Sequence, residues 1–539
     1  MMIFKKVYII MAMLLITIIL LIVVVYHKVV YLTTYNELFP TDETITINLS
    51  EIPQIPWDTS RALAHVIETF TASVNGSLIS IEENFNENEI PQNTLLDKYT
   101  CDYNYCFATL KKNIFFHNNR EVTAYDVEFS LIRQLILKNK NKFIASILDD
   151  IVGIDDLKSK KIKLKKINSI YYPTGLVKGI EVVDKYNINF KLKRTNNLFF
   201  NRISIGRLPI VPIEEFDPFY NNWLKHPIGF GKYKIESYDL NSYEFVLKKF
   251  NEQENIPRYI KFIFSNKNKG DIKILLGNLT RGNSKTDRRI VFPSIYTNGG
   301  FFFNHKTLLG ANAKFREAIS LALDRELIAS KAHFKEIVPE NQMIPIFSSI
   351  RKFRANIPIE KRNIKRAKLL LNEVPHYLWK NRVFHVHTYW ANIENINSLP
   401  YIQEIISQLR DVGIYTVFYD TDINYNKFKY NDTNVLLWSG FSFPSIDPNK
   451  NFAYFRKNSF LSNESPPDNI YEKLYKEAVE NSTVNSEYTK RLSEYFVDKK
   501  YFVVVLNQRM SFAYNSERIA SLGEQHNGYM FYVWKLKLK

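Results

Sequence analysis

The stretch Phe107 to Leu131, FATLKKNIFFHNNREVTAYDVEFSL, decides how the rest of the chain is read. Phe107, Thr109 and Lys111 alternate with Ala108, Leu110 and Lys112, the period of a half-buried strand. Asn118-Asn119 then predicts a turn, since Asn accepts the left-handed conformation better than most residues with a Cβ. Thr123 is placed as a helix N-cap, with Asp126 three residues on to close a capping box. Val122 and Val127 stand where a hydrophobic staple packs. By pattern alone this is a strand, a turn and a capped helix, an arrangement that many folds contain.

The same residues carry a resemblance. Leu110, Phe116, His117, Thr123, Ala124, Asp126, Val127, Phe129 and Ser130 stand in the places of a signature of family 5 of the bacterial extracellular solute-binding proteins, the dipeptide- and oligopeptide-binding type. The family's acidic-glycine turn is here Asn118-Asn119. Further segments resemble family elements in order. Gly179-Ile-Glu-Val-Val-Asp184, with Ile188, Phe190 and Leu192, is similar to a strand pair. His226 to Tyr233, HPIGFGKY, is similar to a Gly-rich turn. Phe315-Arg316 with Ala318, Ala322 to Glu326, Ala367 to Leu371 and Gln408 to Ile414 follow. Together they cover roughly residues 45 to 535. The resemblance implies an α/β, periplasmic-binding-protein-like fold of two α/β lobes joined by a hinge. Lobe I would carry an extra subdomain and enclose a ligand with lobe II.

Length agrees with more than one domain. The expected division is a transmembrane signal anchor (1–27), a tether (28–43), lobe I (44–275), lobe II (276–505) and a return to lobe I (506–539). Val7 to Tyr26 is an uncharged apolar run that spans ~30 Å as a helix, the thickness of a bilayer's hydrocarbon core. Lys5 and Lys6 precede it and favour a cytoplasmic N-terminus. Bulky residues follow it, which favours an uncleaved anchor over a cleaved signal. The expected location is the periplasmic face of the inner membrane; cleavage would leave a soluble periplasmic protein. The formal charge of +17 raises nucleic acid as a partner. The lysines are scattered apart from Lys158 to Lys166, and no nucleic-acid-binding motif accompanies them, so no nucleic-acid partner is expected.

Cys101 and Cys106 lie between two strand-like runs, where facing hairpin positions bring Cβ atoms within disulfide reach. Two reduced thiols are the alternative. From Thr44 on, the expected elements include one helix over 312–332 and a turn at Asn298-Gly299-Gly300. Helices at 468–481 and 485–499 should lead into a short strand, Tyr501–Leu506.

The expected ligand segment is Val435 to Phe452, VLLWSGFSFPSIDPNKNF, because ligands favour the ends of α/β strands. Relatives carry W-x-x-D here, and that Asp pairs with a peptide's α-amine. This chain has Trp438, Ser439, Gly440 and Phe441, so the amine partner is missing at the matching place. Asp447 is the substitute anion or a structural Asp-Pro element. Tyr389, Trp390 and Asn392 are a second pocket wall or a surface loop. His385 and His387 share a strand face without an evident third ligand, so no metal and no cofactor are expected. No G-x-S-x-G, H-E-x-x-H or phosphate loop is present, so the chain is not read as an enzyme. The function expected is a tethered receptor that passes a peptide-like or other small polar ligand to an ABC permease and ATPase. The alternative is a scaffold or sensor that keeps the fold without the ligand.

Overall fold

The computed structural model describes residues 17–25, 43–49, 58, 60, 67–79, 95–137, 148–159, 164–167, 169–196, 199–203, 208–264, 270–275, 287–332, 337–346, 350–388, 396–420, 434–442, 448–449, 451–456, 468–481, 485–523 and 532–539. One large mixed sheet runs through it. Its strands, in chain order, are β1 (Thr44–Leu49), β2 (Tyr233–Asp239), β3 (Glu244–Lys249), β4 (Tyr259–Phe264), β5 (Ile272–Leu275) and β6 (Asp287–Phe303). They continue with β7 (Ile337–Pro339), β8 (Val383–Thr388), β9 (Tyr415–Asp420), β10 (Leu436–Ser442) and β11 (Phe502–Asn515). The hydrogen-bonded order is β9-β8-β10-β6-β11-β5-β1-β4-β3-β2, and β7 adds to β11. β1 lies parallel to both β4 and β5, and β8 parallel to both β9 and β10. The remaining pairs are antiparallel.

Period-two alternation distributes the apolar side chains of the β10-β6-β11 strip between two layers. Phe301, Phe303, Leu436, Trp438, Val503 and Val505 face one core. Phe302, Leu437, Phe502 and Val504 face another, built with Tyr471 and Phe496. A third core lies at the other end of the sheet, where Ile45, Ile47, Phe245, Phe262 and Phe512 pack on Phe70. Phe70 meets Phe262 edge-on at 5.5 Å. A fourth core fills a separate four-stranded antiparallel sheet, Leu96–Asp102, Tyr105–Leu110, Asn187–Lys191 and Ile180–Val182, under the helix Ala124–Ile136.

β6 and β11 are 17 and 14 residues long, far beyond an ordinary strand. They pair at both ends, with an irregularity between Val291 and Tyr296. β11 thereby passes from Val503 in one core to Phe512 in the other. This corrects two expectations. The strand expected over Tyr501–Leu506 continues to Asn515, because β5 and β6 both pair with its second half. Asn298-Gly299-Gly300 is no turn but lies inside β6. Glycine is used there for close approach: a Cβ on Gly300 would sit 2.3 Å from the Val503 carbonyl oxygen. The helix expected over 312–332 is two helices, Ala313–Ala322 and Arg325–Lys331. Asp324 separates them and caps the second, accepting from the Leu327 N–H at 2.9 Å.

Of the apolar run Val7 to Tyr26, residues 17–25 are helical, and the others lie outside the described residues. The side chains from Ile18 to Val25 are all exposed. Among the described residues no helix is long and apolar enough to cross a membrane.

Candidate functional site

β10 ends where β6 and β11 cross from one core to the next. Trp438 is 1% exposed, with its ring edge-on to Phe301 at 5.0 Å and 6.0 Å from Phe418. Trp438 lies inside β10, which does not stop there as expected but runs on to Ser442, because β6 pairs with each residue up to it. Within this run Ser439 and Gly440 are half-buried, and Phe441 continues the ladder opposite Asn298. A Cβ on Gly440 would fall 1.8 Å from the Asn298 carbonyl oxygen, so the two backbones meet only because this residue is glycine. Asp447, Tyr389, Trp390 and Asn392 lie outside the described residues.

The polar centre of this crossing joins Asn298, expected only as part of a turn, to Asn507, which was not among the residues singled out in the sequence. Asn298 and Asn507 face each other in register and are fully buried. Asn507 Nδ2 donates to Asn298 Oδ1 at 2.7 Å, and Asn298 Nδ2 donates to the Met343 carbonyl at 2.5 Å. The second oxygen, Asn507 Oδ1, has no partner among the described residues. An unpaired buried amide oxygen costs about 1–3 kcal/mol, which makes it a standing acceptor. The signal was available: an Asn inside TNGGFFF and another inside VVVLNQRM are polar residues in apolar strands.

Glu340, which follows β7, is a nearby carboxylate among the described residues. It is bidentate to Arg354 at 2.7 and 2.9 Å and accepts the N–H groups of Asn341 and Gln342 at 2.8 and 3.0 Å. Its lone pairs are committed to ordering the loop. It is therefore not an anion for an incoming ammonium group.

The segment Phe107 to Leu131 is built differently. Asn119 adopts φ +65°, the left-handed turn conformation expected of it. The His117 N–H donates to the Gly229 carbonyl at 2.8 Å, and its Nε2 lies 2.9 Å from the Gly231 carbonyl. Burial pushes the His117 pKa down to about 4, against the opposing pull of that carbonyl. The FHNN turn thus docks onto the HPIGFGKY turn. The glycines of the latter are needed because Cβ atoms there would lie 2.2–2.3 Å from the backbone of residues 73–75. Asp126 reaches back to the Thr123 N–H at 2.9 Å and its hydroxyl at 2.8 Å. Arg120 then clamps Asp126 and Glu214, each at 2.6 Å. Burial opposes the Arg120 charge, but the two carboxylates outweigh it and hold its pKa above the ordinary value. Arg120, Thr123 and Asp126 are committed to structural support, and His117 Nδ1 is the buried atom of this motif without a partner among the described residues.

Cys101 and Cys106 pair in register across the hairpin and are joined by a disulfide. His385 stacks on Tyr419 at 4.9 Å. Among the described residues no three His, Cys, Asp or Glu side chains come together as a metal site.

The sequence profile described as "Bacterial extracellular solute-binding proteins, family 5 Middle" matches residues 102–463. No curated protein matches the chain in sequence. Solved structures match it in fold. A dipeptide-binding protein from Pseudoalteromonas sp. SM9913, in complex with Met-Leu, superposes with a TM-score of 0.74 at 15% identity, covering 92% of this chain and 100% of the other. OppA from Haemophilus influenzae, in complex with RPPGFSPFR, gives 0.72 at 15% identity, with coverages of 92% and 99%. NikA from Staphylococcus aureus, in complex with Ni(L-His)2, gives 0.70 at 14% identity, with coverages of 92% and 100%.

Proposed function

Since the chain belongs to family 5 of the bacterial extracellular solute-binding proteins, we propose that it captures a small polar or peptide-like solute between two closing lobes and passes it to an ABC importer. The observation that carries this reading is the pair of long strands, β6 and β11, that link otherwise separate cores. A two-strand connection with a local irregularity is a natural hinge. In this reading lobe I comprises residues 44–275 with the return at 506–539, and lobe II comprises 276–505. The ligand site is the β10 end, Trp438, Ser439, Gly440 and Phe441, with Tyr389, Trp390, Asn392 and Asp447. The buried Asn298–Asn507 pair stands beneath it, and its free amide oxygen supports a ligand that donates hydrogen bonds.

Binding needs no covalent step: lobe closure and desolvation are the whole mechanism. The permease and ATPase are separate chains. The run Val7 to Tyr26 anchors the receptor at the periplasmic face of the inner membrane. Consecutive exposed apolar side chains over Ile18–Val25 support this, because such a surface is unstable in water.

Native mass spectrometry of the full chain released from detergent micelles tests the reading. A reproducible added mass, lost on partial unfolding, is expected, and its fragments name the solute. A clean apo mass, unchanged after incubation with peptide, amino-acid and sugar mixtures, would move the assignment to a repurposed scaffold or sensor. Phe441 is the observation that favours this second reading, since relatives place their amine-binding Asp there. Phe441→Asp separates the two. A solute receptor that differs only in ligand preference gains calorimetrically detectable binding of free-amine peptides. A plugged cleft gains none.

A further inference from the structure

The four-stranded-sheet body and the body around Tyr475 meet at a line of alternating charge. On the first body, Asp150 sits between Leu148 and Ile151 of the core, and Arg194 follows Leu192 of the same core. Arg194 Nη2 lies 2.6 Å from Asp150 Oδ1, and Asn196 Nδ2 donates to Asp150 Oδ2 at 3.2 Å. On the second body, Tyr475 belongs to the helix Asn469–Asn481 and packs in the same core as Phe455. Arg456, next to Phe455, pairs with Glu472 on that helix at 3.1 Å. The bodies are joined through the Tyr475 ring. The Arg456 guanidinium lies 4.7 Å from its centroid and the Arg194 guanidinium 5.9 Å.

Two guanidiniums on one ring repel each other unless each has its own anion. Asp150 serves Arg194 and Glu472 serves Arg456, so the order is Asp150, Arg194, Tyr475, Arg456, Glu472. The line is also coupled across the bodies. Burial works against the Arg456 charge, yet Tyr475, Glu472 and Asp150 together hold its pKa above the ordinary value, and Asp150 stands on the other body. A cation over an aromatic face is worth more when water is excluded, and the Arg194 side chain is 15% exposed.

We infer that Arg194, Tyr475 and Arg456 form a latch that holds the two lobes together before any ligand binds. The inference rests on the two-lobe reading above. Its consequence is kinetic and thermodynamic. A receptor biased toward closure starts with more of its binding-competent geometry populated, so a solute spends less of its binding energy on closing the cleft. The latch lies in side chains of the two bodies rather than in the crossing strands, so it is adjustable without altering the hinge.

Double electron–electron resonance on the full chain in detergent micelles reads the latch. Spin labels go on Lys178→Cys and Lys473→Cys, both exposed positions, one on each body. Without ligand, the unsubstituted latch is expected to give a dominant short distance. Arg194→Gln combined with Arg456→Gln is expected to raise the ratio of long to short distances about tenfold. Arg456→Gln alone changes a side chain that is one-third exposed and loses the cross-body attraction to Asp150, so it should give the same shift at smaller amplitude. Arg456→Lys keeps the cation and should open less. Two distances in an unchanged ratio across all variants would overturn the latch and leave lobe closure standing. A single distance that neither the variants nor added solute mixtures move would remove lobe closure, and the latch with it.

Discussion

Around His117, the side chains of Arg120, Thr123 and Asp126 are consumed by contacts within the protein, whereas at Phe441 a strand ends beside a buried asparagine pair with one amide oxygen unmatched. Both regions depend on backbone contact that only glycine allows, at Gly229 and Gly231 in one and at Gly440 in the other. The difference lies in what those contacts serve. The first region closes on itself, and its motif is a signature of the fold. The second brings a strand end and buried polar groups to a crossing between cores.

The comparison can be broken most directly at Gly440. Gly440→Ala forces a Cβ against the Asn298 carbonyl and should cost ~3 kcal/mol or more, seen as a lower urea midpoint. An unchanged midpoint would mean that the β6–β10 contact is looser than described. Acid should act on the first region with comparable force. His117 has a folded pKa of about 4 against ~6.5 unfolded. The unfolded state therefore binds more protons between those values, and stability is lost as pH falls from ~6.5 toward 4, by up to ~3 kcal/mol. Denaturation midpoints followed across that window should lose part of their slope in His117→Gln, the rest coming from His305, whose pKa burial pushes down to about 3. If they retain their full slope, His117 is not a group that titrates on unfolding in that window.

Arg120→Gln leaves Asp126 and Glu214 without their cation. The Arg120 side chain is 22% exposed, so solvent moderates the loss, and ~2 kcal/mol is expected. Hydrogen exchange should quicken in the helix Ala124–Ile136 and stay unchanged in β10; equal quickening in both would show that the two regions unfold together. The smallest effect belongs to Gly175. Its φ is +67°, but a Cβ there meets nothing within 4 Å. Gly175→Ala should cost only ~1 kcal/mol, from backbone strain alone. A loss equal to that of Gly440→Ala would mean that strain, rather than close approach, governs the glycines of this protein.

Much of the fold was legible because it is local. The turn at Asn119, the Thr123–Asp126 pair and the strand register at Cys101 and Cys106 depend on residues a few positions apart. Less was legible in the candidate site. In sequence, Trp438, Ser439 and Gly440 read as leaving the strand, yet the strand runs through them to Ser442, and Asn298 and Asn507 meet across 209 residues of chain. No local pattern announces such a partner. The turn read into Asn298-Gly299-Gly300 failed for the same reason, because glycine in a strand reports a neighbour that the sequence does not name.

The sequence by itself determined the family, the α/β class and the apolar N-terminal run, since periodicity, capping and turn chemistry act over a few residues. Only the tertiary structure decided that β6 and β11 run unbroken between cores, that Glu340 is committed to Arg354, and that Arg194 and Arg456 share the ring of Tyr475. Those outcomes depend on which distant groups are buried together, and burial is a property of the folded whole.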